Sequence, residues 1–171
     1  VRSVGVSLRR IEPATADTVE NVTLRFTARL TLGGAHARLS LSNAFGTSAL
    51  RIGGASLGYM SDGKLKIAPV TFSGQTAITL PPGAPAPSEA IDAALAQGQV
   101  VTISLFLPDK TPLISLLSDD HMPSAVSTPG NFVMAENFDV AESLKYQPFF
   151  NGVDVVAAPG AKTIVAFGDS I

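Results

Sequence analysis

The chain has 171 residues, of which 46% are hydrophobic and only 15% charged, with 12 Lys and Arg against 14 Asp and Glu. That length suits one domain, or one domain with part of another, and the apolar share allows a sizeable core. A net charge of −2 leaves no basic footprint for nucleic acid or an anionic membrane surface, the absence of cysteine excludes disulfides and thiolate metal sites, two histidines argue against a histidine-built metal centre, and no apolar stretch reaches transmembrane length.

Strand signals dominate the chain. Residues 22–32, VTLRFTARLTL, alternate apolar and polar for much of their length, and residues 37–42, ARLSLS, alternate more cleanly. A period of two predicts half-buried strands, with Leu39 and Leu41 on the core face and Arg38 and Ser40 facing outward. Gly33-Gly34 between the two runs is a turn signal, which makes His36 an exposed turn residue. Arg25, Arg29 and Arg38 fall on these strands and form either a solvated sheet face or a surface for sugar or phosphate. Asn21-Val22-Thr23 fits the glycosylation sequon, which a bacterial origin would make meaningless. Residues 43–47, NAFGT, make a second turn, and Gly53-Gly54, Ser61-Asp62-Gly63, Gly74 and Pro81-Pro82-Gly83 mark further ones.

Residues 88–97, SEAIDAALAQ, are rich in helix formers and place Ser88 as an N-cap. They predict a short helix on a sheet connection, with an irregular strand as the alternative. Residues 99–107, QVVTISLFL, read as a strand closed by Pro108. His121 follows Asp119 and Asp120 in SDDHMPS; adjacent residues rarely face each other productively, so the pair reads as a solvated loop. Pro129-Gly130 is another turn, and Phe149-Phe150 reads as packing between domains. Many short strands separated by turns predict an antiparallel sandwich or barrel.

Near residue 159 the pattern changes. Pro159-Gly160 suits a linker, and Ile164 to Phe167 are continuously apolar, as in a strand of a parallel sheet buried on both faces. Such a strand delivers Gly168, Asp169 and Ser170 to its carboxyl end, where open α/β sheets place ligands. A helix after that turn would aim its first N–H groups and its dipole at Ser170, favouring an oxyanion there. By composition alone, the tripeptide is an ordinary turn or cap.

The block V-A-F-G-D-S-I, residues 165–171, resembles the first sequence block of the SGNH, or GDSL-type, serine hydrolases. Residues 23–58, TLRFTARLTLGGAHARLSLSNAFGTSALRIGGASLG, with VTFSG at 70–74 and VVTISLFLP at 100–108, are similar to the β-rich N-terminal domain of a bacterial subgroup of that family. The resemblance implies a jelly-roll-like β-sandwich over residues 1–158. It implies that residues 159–171 begin a flavodoxin-like α/β hydrolase domain, with its first strand and nucleophile turn. The C-terminal remainder of that domain becomes a partner, as a second chain or as a continuation.

The same resemblance implies that Ser170 is the nucleophile and that its backbone N–H is one oxyanion donor. Gly168 and Asp169 become the flanking turn, and His121 becomes a substrate contact near the active-site mouth. An esterase acting on acyl esters of carbohydrate or of a small lipid-like molecule follows, with no metal and no organic cofactor, in a secreted or periplasmic bacterial protein. The family's oxyanion glycine and asparagine, and its late aspartate and histidine, have no counterpart in these 171 residues. A serine hydroxyl without a base is a weak nucleophile, so this chain alone is expected to be inert. Two readings compete: a carbohydrate-binding or adhesion sandwich with an incidental GDS turn, and a sandwich that only scaffolds the hydrolase. The absence of Trp and an aromatic share of 6% speak for the scaffold.

Overall fold

The computed structural model describes residues 1–5, 8–11, 15–118, 124–157 and 159–161. The short strands β1 (Arg2–Gly5), β2 (Arg9–Arg10) and β3 (Thr18–Val19) come first, followed by the long β4 (Val22–Arg29) and β5 (Gly34–Ser42). β6 (Leu50–Ile52) leads into β7 (Gly54–Ser61), which turns back as β8 (Lys64–Pro69). β9 (Ile78–Leu80), β10 (Pro85–Pro87) and β11 (Ile91–Leu95) precede the long β12 (Val100–Leu107). β13 (Thr111–Pro112), β14 (Ser115–Ser118) and β15 (Ser124–Ser127) are followed by an irregular segment, and then by β16 (Val140–Leu144), β17 (Tyr146–Pro148) and β18 (Phe150–Val155). Among the described residues there is no helix, and so none long and apolar enough to cross a membrane.

Two sheets carry the architecture, a β-sandwich-like pair. One has six strands in the order β16-β15-β4-β12-β7-β8; the other runs β1-β18-β5, with β10 and β11 both paired to β5. Small sheets β13-β3, β17-β14-β2 and β6-β9 complete it. The alternation read in the sequence builds the core between the sheets. Leu24, Phe26 and Ala28 of β4 and Ile103 and Leu105 of β12 are buried on one side; Leu39 and Leu41 of β5 and Val153 of β18 are buried on the other. The rings of Phe26 and Phe150 bridge the two sheets at a centroid separation of 5.3 Å and an interplanar angle of 57°, in the range favoured by tilted aromatic pairs.

The turns follow from local chemistry. Asp62 and Gly63 have φ of 52° and 71°, the all-positive pattern of a two-residue type I′ hairpin, which matches strand twist and favours Asp-Gly. Ser73-Gly74 repeats it, with Phe72 and Gln75 exchanging backbone hydrogen bonds. In NAFGT, Asn43 is the hub: its amide donates to Ser48 O at 2.9 Å and Leu80 O at 3.1 Å. A Cβ at Gly46 would lie 1.8 Å from Asn43 Oδ1, so glycine there is a condition of the Asn43 contacts.

Three expectations change. Residues 88–97 contain β11, not a helix: Ile91, Ala93 and Leu95 are buried while Asp92 and Ala94 are exposed. The open backbone groups of β5 supply partners that a short helix would not reach, and this outweighs the helix propensity of Ala and Glu. Ser88 does not cap; its Oγ accepts from Leu39 N at 3.0 Å and its N–H donates to Leu39 O at 2.8 Å. Ser40 lies on the opposite face from Leu39, as expected, but is only 5% exposed, because Asn151 Nδ2 reaches over to its hydroxyl at 3.3 Å. Phe149 and Phe150 are buried within the sandwich itself rather than at its border with another domain. Phe149 takes φ of 62°, a conformation that costs about 1–3 kcal/mol. It is fixed there by its N–H on Ser115 O and by Ser42 N–H on its own carbonyl, each at 2.8 Å.

Candidate functional site

Gly168, Asp169 and Ser170 lie outside the described residues, as do His121, its neighbours Asp119 and Asp120, and the apolar run 164–167. The described chain leads towards that block from β18. Val156 N–H donates to His36 O at 3.1 Å, so the exit still follows β5, and Gly160 turns with φ of 90°. The Gly33-Gly34 pair serves this exit more closely than a turn requires. A Cβ on Gly33 would lie 2.5 Å from Leu95 O, and one on Gly34 would lie 2.5 Å from Val156 O. Two missing side chains therefore bring three backbone segments together. Beside them an open trough of about 810 Å³ is lined by small residues that include Gly33, Ala35, Ala96 and Ala161.

His36 stands on β5 rather than in a turn. Its Nδ1 lies 2.7 Å from Asp92 Oδ1 on β11, with side-chain exposures of 48% and 91%. Solvent screens such a pair, and exposed pairs contribute at most about 1 kcal/mol. Arg38 pairs in register with Asp154 on the same outer face. Among the described residues no three His, Asp or Glu side chains form a group that could hold a metal ion.

The three strand arginines do not share a surface. Arg38 belongs to the five-stranded sheet, while Arg25 and Arg29 belong to the six-stranded one. Arg29 is exposed and donates to Gly98 O at 2.8 Å. Arg25 is half-buried beneath residues 128–139, which cross the outer face of the six-stranded sheet. Its Nε donates to Ser104 Oγ at 2.8 Å. Its Nη1 donates to Glu136 O at 2.9 Å, and its Nη2 to Phe132 O at 3.1 Å and Ala135 O at 2.7 Å. The guanidinium lies 4.4 Å from the centroid of Phe138, within cation–π range. Burial lowers the Arg25 pKa from its ordinary value.

Other outward-facing side chains staple the same segment. Thr23 Oγ1 donates to Gly130 O at 3.0 Å and accepts from Phe132 N–H at 2.8 Å; Ser56 Oγ donates to Val133 O at 2.5 Å. A cleft of about 230 Å³ remains between this segment and the sheet, with Gly58, Leu65 and Ile67 as floor and Arg25, Thr102, Glu136 and Asn137 among its polar walls. Of these groups the sequence singled out Arg25 alone. Residues 128–139 have no periodicity to mark them, and three of the four Arg25 bonds end on backbone carbonyls, which no residue type announces.

No protein-family model matches the chain, and no curated protein matches it significantly.

Proposed function

We propose that this chain is the N-terminal part of an SGNH-type serine ester hydrolase, and the observation that carries the reading is the block V-A-F-G-D-S-I at residues 165–171. An all-β sandwich ahead of that block supports it, because this is the order of parts that the resemblance implies. In this reading Ser170 Oγ attacks the carbonyl carbon of an acyl ester. A histidine in the remainder of the hydrolase domain takes the hydroxyl proton and passes it to the departing alcohol. Water then cleaves the acyl-enzyme, releasing the carboxylic acid and restoring the serine. The Ser170 backbone N–H donates to the developing oxyanion, Gly168 and Asp169 shape the turn, and His121 contacts substrate. The substrate is an acyl ester of carbohydrate or of a small lipid-like molecule, and the setting is the periplasm or exterior of a bacterium.

A fluorophosphonate tests this directly, since it labels a serine only where a base activates it and donors stabilise the adduct. Labelling at Ser170, located by peptide mapping, is expected in the protein joined to the rest of its hydrolase domain and almost none in the 171-residue chain. Ser170→Ala should abolish ester hydrolysis and leave the fold intact. Full hydrolysis by that variant, or an adduct on a different serine, overturns the assignment.

A further inference from the structure

We propose that the cleft beneath residues 128–139 is a binding site for a single neutral sugar unit, held on the outer face of the six-stranded sheet. Three observations carry the proposal. First, the floor is open by sequence: Gly58 contributes no side chain, and a Cβ built there would meet Thr102 Cβ at 3.3 Å and Leu65 Cδ1 at 3.9 Å. With Ile67 beside it, the floor offers the apolar contact that the C–H face of a sugar ring needs.

Second, the walls hold both kinds of hydrogen-bonding group that a ring of hydroxyls needs. Arg25 has five donors and commits four to the protein, which leaves one Nη1 N–H uncommitted. Among the described residues no partner engages the Thr102 hydroxyl, the Glu136 carboxylate or the Asn137 amide. Arg25 and Glu136 line the same cleft, so a simple anion would gain from one and be repelled by the other. A neutral hydroxyl can donate to Glu136 and accept from Arg25, so it uses both.

Third, the cleft is preorganised and small. Thr23, Ser56 and Arg25 hold the overlying segment to the sheet at Gly130, Phe132, Val133, Ala135 and Glu136, so little ordering is left for a ligand to impose. A volume of about 230 Å³ falls below the ~300 Å³ at which pockets for drug-sized molecules begin, which suits one ring rather than a chain. The site needs no hydrolysis and does not depend on Ser170.

Amide chemical-shift mapping of the 171-residue chain tests this, with glucose, galactose, xylose and arabinose as probes and glucuronate and butyrate for comparison. At least one neutral sugar should shift Gly58, Thr102 and Asn137 saturably, with a Kd of about 1–10 mM, as expected for so small a ligand. Gly58→Val fills the floor with a residue suited to a strand, and should weaken binding about tenfold or more. Asn137→Ala, on the surface of the overlying segment, should weaken it about threefold to tenfold by removing one amide hydrogen bond. Absence of saturable shifts with all four sugars overturns the proposal. So do equal or larger shifts with glucuronate or butyrate at the same amides, and so does wild-type affinity in a folded Gly58→Val or Asn137→Ala. Fluorophosphonate labelling is independent of this titration, so the sugar site and the hydrolase assignment fail or stand separately.

Discussion

Tyr146 donates its phenol to Asp17 across the β17 side of the molecule. Burial raises its pKa well above the ordinary phenol value, and the hydrogen bond to Asp17, the Asp17 charge and the Glu142 charge add to it. The folded state thus holds the phenolic proton more tightly than the unfolded state, whose pKa is ~10. Stability from this group is fully present below pH ~10. Above that, the unfolded chain releases its proton first, and the contribution is lost as pH climbs towards the folded-state pKa. Tyr146→Phe is expected to lower stability by about 0.5–1 kcal/mol at pH 8, the net worth of one such hydrogen bond. The gap from wild type should shrink at pH 11, read as the difference in Tm by circular dichroism. A gap that widens there contradicts the assignment. Asn43 belongs to the same scale. The sequence marked NAFGT as a turn from composition alone, but the reason for glycine at position 46 became visible only with the Asn43 side chain beside it.

β11 shows how an element can be hidden in its own sequence. Its five residues, IDAAL, alternate buried and exposed, yet Ala93 and Ala94 are the same residue on opposite faces. The period therefore has no contrast at its centre, and alanine tilts propensity towards helix. In 37–42 and 99–107 leucine, isoleucine and valine stand against serine, threonine and arginine, and there the strands were legible. Replacement separates the two alanines. Ala93→Glu places a carboxylate in the core and is expected to cost about 3 kcal/mol or more. Ala94→Glu, one position along, should stay within about 0.5 kcal/mol. Urea midpoints of the two variants check this, and equal losses would contradict a strand with one buried face. The Arg25 cleft was illegible for a different reason: its bonds join positions 79 to 111 residues apart, and only the folded chain brings them together. Ser170 lies outside the described residues, so its assignment rests on the resemblance of the block 165–171 alone, with no support from periodicity or charge.

Across the whole molecule, the two large sheets are coupled through side chains. Phe26 and Phe150, both fully buried, form one such bridge. Phe26→Ala or Phe150→Ala is each expected to cost about 3–5 kcal/mol, a large share of the ~5–15 kcal/mol that stabilises a typical domain. A double-mutant cycle in urea should give a coupling of about 0.5–1.5 kcal/mol between them; strict additivity would mean that the ring contact itself adds nothing beyond burial. The border of the five-stranded sheet has a consequence of another kind. β10 reads Pro-Ala-Pro and pairs with β5. Ser88 N–H turns inward to Leu39 O, so the period of two turns Ala86 inward as well and leaves Pro85 and Pro87 at the outward positions. Proline has no N–H to offer. A strand arriving from another molecule would meet carbonyls along β10 without a single donor, and sheet growth from copy to copy finds no template there. Along β10, resistance to fibre formation is therefore written into covalent structure and, unlike protection by charge, does not weaken with salt or pH.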